Sequence, residues 1–378
     1  MITVKEVKTK KDAKAFIEFP LRLYKKCPYF VPPLYGDERK LILGPAETEQ
    51  TRSVFFLAEQ DGLVVGRIQG LIQKQYNQIH GCAKARFTRF DSIDDAAVSS
   101  ALFGAVEAWA REQGMRELCG PLGANDLERE GLLIEGFDQN STFEEQYNYE
   151  YYGKLVEQAG FAKDVDWLEF ELRAPRERNQ MLSRVAQRAL ELNHLHVAST
   201  DMPKRAYIEK YGDSFFDCLD ECYAKLYGTV PLTAEQRREI IGQFLLVVNI
   251  RYAVFICDES DRVVAFGLCF PGFGDALKKS GGRMTPAALL RLLRAVKRPS
   301  VMDLALVAVR PEYQSSGVNA VLIDGLVDML ARGEVEKCET NLNLETNHAV
   351  LAQWKYFDAR QHKRRRSYIK SRESEILQ

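Results

Sequence analysis

The stretch VAVRPEYQSSGVNAVLIDGL, residues 307–326, decides how this chain is read. An apolar run of strand type ends at Val309 and enters a short polar loop with one glycine. An apolar run of helical type leaves it. A helix entered through Gln314, Ser315, Ser316, Gly317, Val318 and Asn319 offers unpaired backbone N–H groups in its first turn, and the macrodipole adds partial positive charge there. Small residues let an anion approach the backbone, so a pyrophosphate can sit at such a helix end. A plainer reading runs beside it, in which Ser315 or Ser316 is an N-cap and Gly317 is only small packing. Pro311 and Glu312 form the turn out of the strand.

Working outward, the first half opens with ITVKEVK, an alternating strand, and a helix over about 10–26. CPYFVPPLYGDE is a Pro-rich aromatic loop, where proline removes the N–H a helix needs. In SVFFLAEQDGLVVGRIQGLIQKQY, Asp61-Gly62 between apolar runs predicts a hairpin. ARFTRF is a strand; the spacing of Val98, Leu102, Val106 and Trp109 predicts a helix ending at Gly114. ELCGP is a strand, TFEEQYNYEYYGKLVEQAGF a helix ending at Gly160, and KDVDWLEFEL a closing strand. The polar APRERN, 174–179, marks a boundary between domains at 1–173 and 180–378. The second half loosely repeats the order: HLHVAS a strand, helices over 202–249, a hairpin turning at Asp258–Asp261, a helix in TPAALLRLLRAVKRPS, then strand, helix, strand, helix and a last strand HKRRRSYIKS. Each half is an α/β unit with a mixed sheet.

The central motif resembles that of the GNAT superfamily of acyl-CoA-dependent N-acyltransferases. There a strand runs into V-x-P-x-[YF], then [QR]-x-x-G-x-[GA] opens a helix. Here Val309-Arg-Pro311-Glu-Tyr313 precedes Gln314-Ser-Ser-Gly317-Val-Asn319-Ala320, with Asn319 where the family has a small residue. Asn347 and the helix HAVLAQW resemble N-x-x-A-x-x-x-Y, with Trp354 at the position of a Tyr proposed in many relatives to protonate the departing thiolate. Indole N–H is a donor but not an acid. The first half resembles the same fold with the loop lost, since ARFTRF runs into Asp91-Ser-Ile-Asp-Asp95. Asn148-Tyr-Glu-Tyr-Tyr152 through Gly160-Phe161 resembles the end of a GNAT domain. GPLGANDLEREGLLIEGFD with CPYFVPPL upstream is similar to uncharacterised bacterial two-domain GNAT-like proteins. The resemblance implies two tandem GNAT-like domains, each a mixed, mostly antiparallel sheet flanked by helices. It also implies acetyl-CoA or a longer acyl-CoA as cosubstrate, and direct transfer to a primary amine, on a small molecule or a lipid. Val307 and Val309 would then offer backbone to the pantetheine arm, with Gln314–Asn319, Asn347 and Trp354 around the CoA. Paired GNAT-like domains also occur in lipid acyltransferases, and the helices over 202–249 and 285–300 supply apolar surface for a long chain. Trp354 and Asn319 equally suit a degenerate pair that binds CoA or serves as a scaffold.

Glu339, Asn341, Asn343 and Glu345 alternate with apolar residues and Thr340, which puts them on one face of a strand. That face either lines an acceptor cleft, with Glu339 or Glu345 taking a proton from an ammonium, or is a solvated edge or supporting hydrogen-bond network. Tyr356, two residues past Trp354, is a further catalytic candidate. The basic run Lys363–Arg366 is a solvated strand face or a lure for CoA phosphates or anionic lipid heads.

Composition bounds the rest. With 378 residues, 46% hydrophobic and 28% charged, the chain reads as globular and long enough for two domains. A net charge of −1 gives no sign of a nucleic-acid partner. No apolar run reaches membrane-span length, and MITVKEVKTKKDAKAF lacks the apolar core of a signal peptide, so a cytoplasmic location is expected. Eight cysteines without a C-x-x-C pair and five histidines with only His194-x-His196 close in sequence predict reduced thiols and no metal site.

Overall fold

The computed structural model describes residues 1–371. These form two compact units: residues 1–168, 274–291 and 363–371 in one, and 169–273 with 292–362 in the other. Neither unit is a sequence half. A linear cut at 174–179 gives 274–291 and 363–371 to the second domain, whereas they belong to the first unit.

In the first unit, β1 (Ile2–Glu6) leads to α1 (Lys10–Leu23), where Thr9 and Asp12 close a capping box. The Pro-rich loop then ends at Leu34, and α2 (Tyr35–Leu43) starts within the stretch expected to be all loop. The last proline, Pro33, lies outside that helix and leaves Tyr35–Glu38 able to wind. β2 (Thr51–Gln60) and β3 (Leu63–Gln73) form the expected hairpin, with Asp61 and Gly62 at φ 52° and 77°, as a type I′ turn requires. α3 (Lys74–His80) precedes β4 (Lys84–Ser92), and α4 (Ala96–Glu112) crosses to the parallel strand β5 (Glu117–Gly120). β6 (Leu132–Glu135), α5 (Tyr151–Gln158) and β7 (Ala162–Arg173) follow. The helix expected over 142–161 is confined to α5. Upstream of it Asn148 pairs with both the N–H and the carbonyl of Leu133, at 2.7 and 2.9 Å, an arrangement that competes with helix.

The rest of the chain contributes α6 (Gln180–Leu192), β8 (His196–Val197), α7 (Lys204–Tyr223), α8 (Ala234–Val247), β9 (Ala253–Cys257) and β10 (Val263–Pro271). Then come α9 (Gly274–Lys278), α10 (Pro286–Lys297), β11 (Val301–Val309), α11 (Val318–Ala331), β12 (Lys337–Thr340), β13 (Asn343–Leu344), α12 (His348–Leu351) and β14 (Asp358–Ser371).

The strand orders of the units correspond one to one. The first runs β1-β2-β3-β4-β5-β14, the second β8-β9-β10-β11-β12-β7. In both, the fourth and fifth strands are parallel and the other neighbours with described register are antiparallel. The closing strand of each comes from the other half of the sequence: Tyr368–Ser371 pair with Gly120–Glu117, and Leu172 and Glu171 pair with Cys338 and Glu339. Apolar residues of α11 pack with Leu182 and Ala186 of α6 onto Met302, Leu304, Cys338 and Leu172, the core of the second unit.

The basic run 363–366 is neither solvated nor a lure. Lys363 and Arg365 are 1% and 0% exposed and both reach Glu145, at 2.7 and 3.2 Å. Arg364 and Arg366 bind the fully buried Asp166 from the other face of β14. The carboxylates lie about 200 residues away in sequence, so composition around the run gives no sign of them.

Candidate functional site

In the second unit β11 and β12 are paired only from Val301–Lys337 to Leu304–Thr340. There the strands part. Asn341, just past β12, donates its N–H to Leu304 O at 3.0 Å and its amide to Ala305 O at 3.4 Å, closing the fork. On its other side β11 stays paired to β10, but Leu268 faces Leu306 while Cys269 faces Leu304. Ala305 is therefore a bulge, placed where the strands separate, and a bulge re-aims the chain beyond it. From 305 to 309 no strand among the described residues pairs with β11 on the side of β12. Side chains use part of that edge: the Tyr223 hydroxyl donates to Val307 O at 3.3 Å and Gln314 Nε2 to Val309 O at 3.0 Å. Neither contact follows from sequence spacing.

The polar loop then turns through a short 3₁₀ segment, Pro311–Tyr313, with Ser315 at φ 69° and Gly317 at φ 83°. Ser316 does not cap α11. Its hydroxyl donates back to Tyr313 O at 2.6 Å, and the N-cap is Gly317, which has no side chain to satisfy the first N–H groups. The helix start at Val318 and Asn319 is thus without a side-chain cap, as an anion cradle needs. Gly317 also meets a backbone requirement. A Cβ there would make only ordinary contacts with Ala189 and Val185 of α6, at 3.4 and 3.5 Å, so it is the left-handed backbone that calls for glycine. Gly317→Ala should therefore lower stability in urea by about 1–2 kcal/mol while leaving any ligand affinity nearly intact; an unchanged midpoint would contradict this role.

The polar face expected over 339–345 is interrupted. β12 ends at Thr340 because Asn341 Oδ1 accepts Leu342 N–H at 2.9 Å and Asn343 Nδ2 donates to Asn341 O at 2.6 Å. Such side-chain bonds replace the strand ladder. Glu339 and Glu345 therefore do not share one continuous strand face. Glu339 instead lies in a row with Asp303 and Glu171, its partners in register on β11 and β7. Lys337 bridges Glu339 and Glu171 at 2.8 and 3.0 Å, and His362 lies 3.9 Å from Glu339. Burial raises the Glu171 carboxyl, but hydrogen bonds from Lys337 and Arg173 outweigh it and hold it at about 2. The row lies on the sheet face opposite Met302, Leu304, Cys338 and Leu172, which face α11.

Asn347 caps α12, its Oδ1 accepting Val350 N–H at 3.3 Å. Trp354 is 3% exposed between Phe170 and Phe357, and its indole N–H has no hydrogen-bond partner among the described residues. Tyr356, in the following 3₁₀ turn, is half-buried against the same core.

The corresponding place in the first unit is filled. β4 and β5 also separate, after Arg86 and Cys119. Beyond the fork stands a buried network in which Asp91 accepts from Arg67 at 2.7 Å, Tyr24 at 2.9 Å and Tyr152 at 3.2 Å. A cavity of about 30 Å³ remains, lined among others by Glu38, Arg67, Arg89 and Arg129. Burial raises the Asp91 carboxyl against the pull of Arg67. Asp95 caps α4, accepting Ala97 N–H at 2.8 Å and Val98 N–H at 3.4 Å. The helix N–H groups that an anion would use are already satisfied. Among the described residues no group of three or more His, Cys, Asp or Glu is placed to hold a metal ion.

No family model matches the chain. It is 28% identical over 370 residues to Protein YghO of Escherichia coli (strain K12), covering 96% of this chain and 93% of that one. It is 27% identical over 323 residues to the bacterial ceramide synthase of Caulobacter vibrioides, 83% of this chain and 82% of the relative. Among solved structures, a tandem GNAT protein from the clavulanic acid biosynthesis pathway superposes with a TM-score of 0.56 at 12% identity, covering 98% of both chains. A GCN5-related N-acetyltransferase from Sphaerobacter thermophilus gives 0.50 at 10% identity, over 98% and 95%. With the matching strand orders and the two forks between parallel strands, this chain has the GNAT fold in two tandem copies.

Proposed function

We propose that this chain is an acyl-CoA-dependent N-acyltransferase whose second unit holds the CoA. The observation that carries the reading is the fork between β11 and β12, bulged at Ala305 and followed by the uncapped start of α11. An extended pantetheine arm suits the strand edge at 305–309, with the Tyr223 hydroxyl giving up Val307 O to it. The pyrophosphate suits the N–H groups of Val318 and Asn319, with Gln314, Ser315 and Ser316 around it. A backbone N–H of β11 would stabilise the oxyanion as a neutral amine attacks the thioester carbonyl. The tetrahedral adduct then expels CoA thiolate, and the new amide forms. Glu345 or Glu339, the latter held by Lys337, would take the ammonium proton. The thiolate can leave without a tyrosine acid, with Trp354 N–H a donor of fixed position in the same unit.

A long acyl chain and a long-chain amine as acceptor are favoured by the similarity to a ceramide synthase, because a ceramide is the amide of such an amine with a fatty acid. Purified protein given palmitoyl-CoA and a sphingoid base should release free thiol faster than with acetyl-CoA. The reverse order would return the reading to acetyl transfer. Absence of CoA binding at every chain length would leave only a scaffold role.

Calorimetry should find one CoA per chain, since Asp95 occupies the α4 start. Two equivalents would mean that the network around Asp91 opens.

A further inference from the structure

Large apolar side chains left at the surface are not spread evenly. Met284, Leu289, Leu290 and Leu293 are 51%, 45%, 69% and 45% exposed, all within ten residues at and before α10. A surface helix normally turns its apolar stripe inward. α10 does so only with Ala288 and Leu292, which are 0% and 8% exposed. At about 100° per residue, Leu289, Leu293 and Leu290 span one outward arc, with Lys297 inside its C-terminal end, and Arg294, Arg298 and Arg291 follow beside it.

The charge of this segment sets it apart from the rest of the chain. Between Asp275 and Asp303 there are seven lysines and arginines and no carboxylate, in a protein of net charge −1. Some are committed: Lys278 reaches Pro28 O and Asn140, and Arg283 pairs with Glu18. Lys279, Arg294, Lys297 and Arg298 are exposed. Exposed leucines edged by cations, without any acid, are the pattern of a helix lying in a bilayer interface. Its apolar arc enters the acyl boundary and its cations meet anionic head groups. No described helix is long and apolar enough to cross a membrane, so such contact would be peripheral.

We propose that α10 docks this protein onto the surface of an anionic lipid bilayer, lying in its plane through Leu289, Leu290 and Leu293. The inference stands on α10 and its charge, independently of the acyl-CoA reading.

The test is vesicle sedimentation of the purified full chain, with phosphatidylcholine alone and with equimolar phosphatidylcholine and phosphatidylglycerol. The parent should bind the anionic vesicles selectively and lose that binding in high salt. A Leu289→Ser, Leu290→Ser, Leu293→Ser variant should bind them about tenfold or more weakly. An Arg294→Glu, Lys297→Glu variant should lose the preference for anionic over neutral lipid. All five side chains are exposed, so the thermal midpoint of each variant should match the parent. Failure of the parent to bind, or a leucine variant that binds equally, overturns the proposal. A parent that ignores vesicles but is a dimer, converted to monomer by the leucine changes, would assign the face to a second copy instead. Calorimetric CoA binding by the leucine variant keeps this outcome separate from failure of the acyltransferase reading.

Discussion

Glu145→Ala is expected to destabilise the protein by about 3–5 kcal/mol, the cost of leaving buried charge without its partner. Glu145 is 1% exposed and receives both Lys363 and Arg365, which are themselves 1% and 0% exposed. Removing the carboxylate takes from Lys363 and Arg365 the charge they share, leaving backbone carbonyls such as Gln146 O and Asn140 O, which are weaker partners for a buried cation. Because the three groups act together, their losses should not add. Replacing all of them, as Glu145→Leu, Lys363→Met and Arg365→Met, should recover most of the stability, since an apolar cluster can replace a buried ion group at little cost. Urea midpoints for the single and triple variants check this. A Glu145→Ala midpoint equal to the parent would mean that other acceptors neutralise the pair.

The second large effect concerns ligand affinity. Asn319→Glu should weaken CoA binding by about tenfold or more, as several charge-assisted hydrogen bonds worth roughly 1.5–3 kcal/mol each are disturbed. Asn319 stands in the first turn of α11, after the uncapped Gly317. A glutamate is welcome there for the helix, because its charge opposes the dipole. Stability should therefore hold or rise while the anion is repelled. This opposition separates a phosphate cradle from a mere helix start. At Gly317 the same substitution would be ambiguous, since φ 83° and the nearby Ala189 would be disturbed as well. Asn319→Gly should keep CoA affinity or improve it. If Asn319→Glu binds CoA as the parent does, the loop holds no phosphate.

Local chemistry was the legible part. Asp61-Gly62 announced its hairpin because few residues tolerate two positive φ values in succession. The helix after residue 317 was readable because apolar periodicity, one glycine and a proline turn agree. What failed was whatever depended on particular side-chain partners, near or distant. The alternation through 339–345 promised a single strand face, but alternation says nothing about Asn341 binding its neighbour's N–H. Residues 363–366 looked solvated because Glu145 and Asp166 are invisible from their own neighbourhood. Around the candidate site, the loop Gln314–Asn319 could be located from sequence, whereas the Ala305 bulge, the Tyr223 contact and the Lys337 tie on Glu339 required coordinates.

The borrowed closing strands bear on how this protein is made. The first unit is completed by residues 363–371, the last part of the described chain to be synthesised. An N-terminal domain usually folds while the remainder is still being translated. Here Gly120 lacks its neighbour Tyr368, and Glu145 its cations, until residues 363–371 have been synthesised. The nascent amino-terminal half must wait with an unpaired sheet edge, a state prone to aggregation and slow to resolve because the missing contact is so distant in sequence. Ribosome-bound chains stopped before residue 363 should be cut readily by protease within 84–161, and released full-length chains should become resistant.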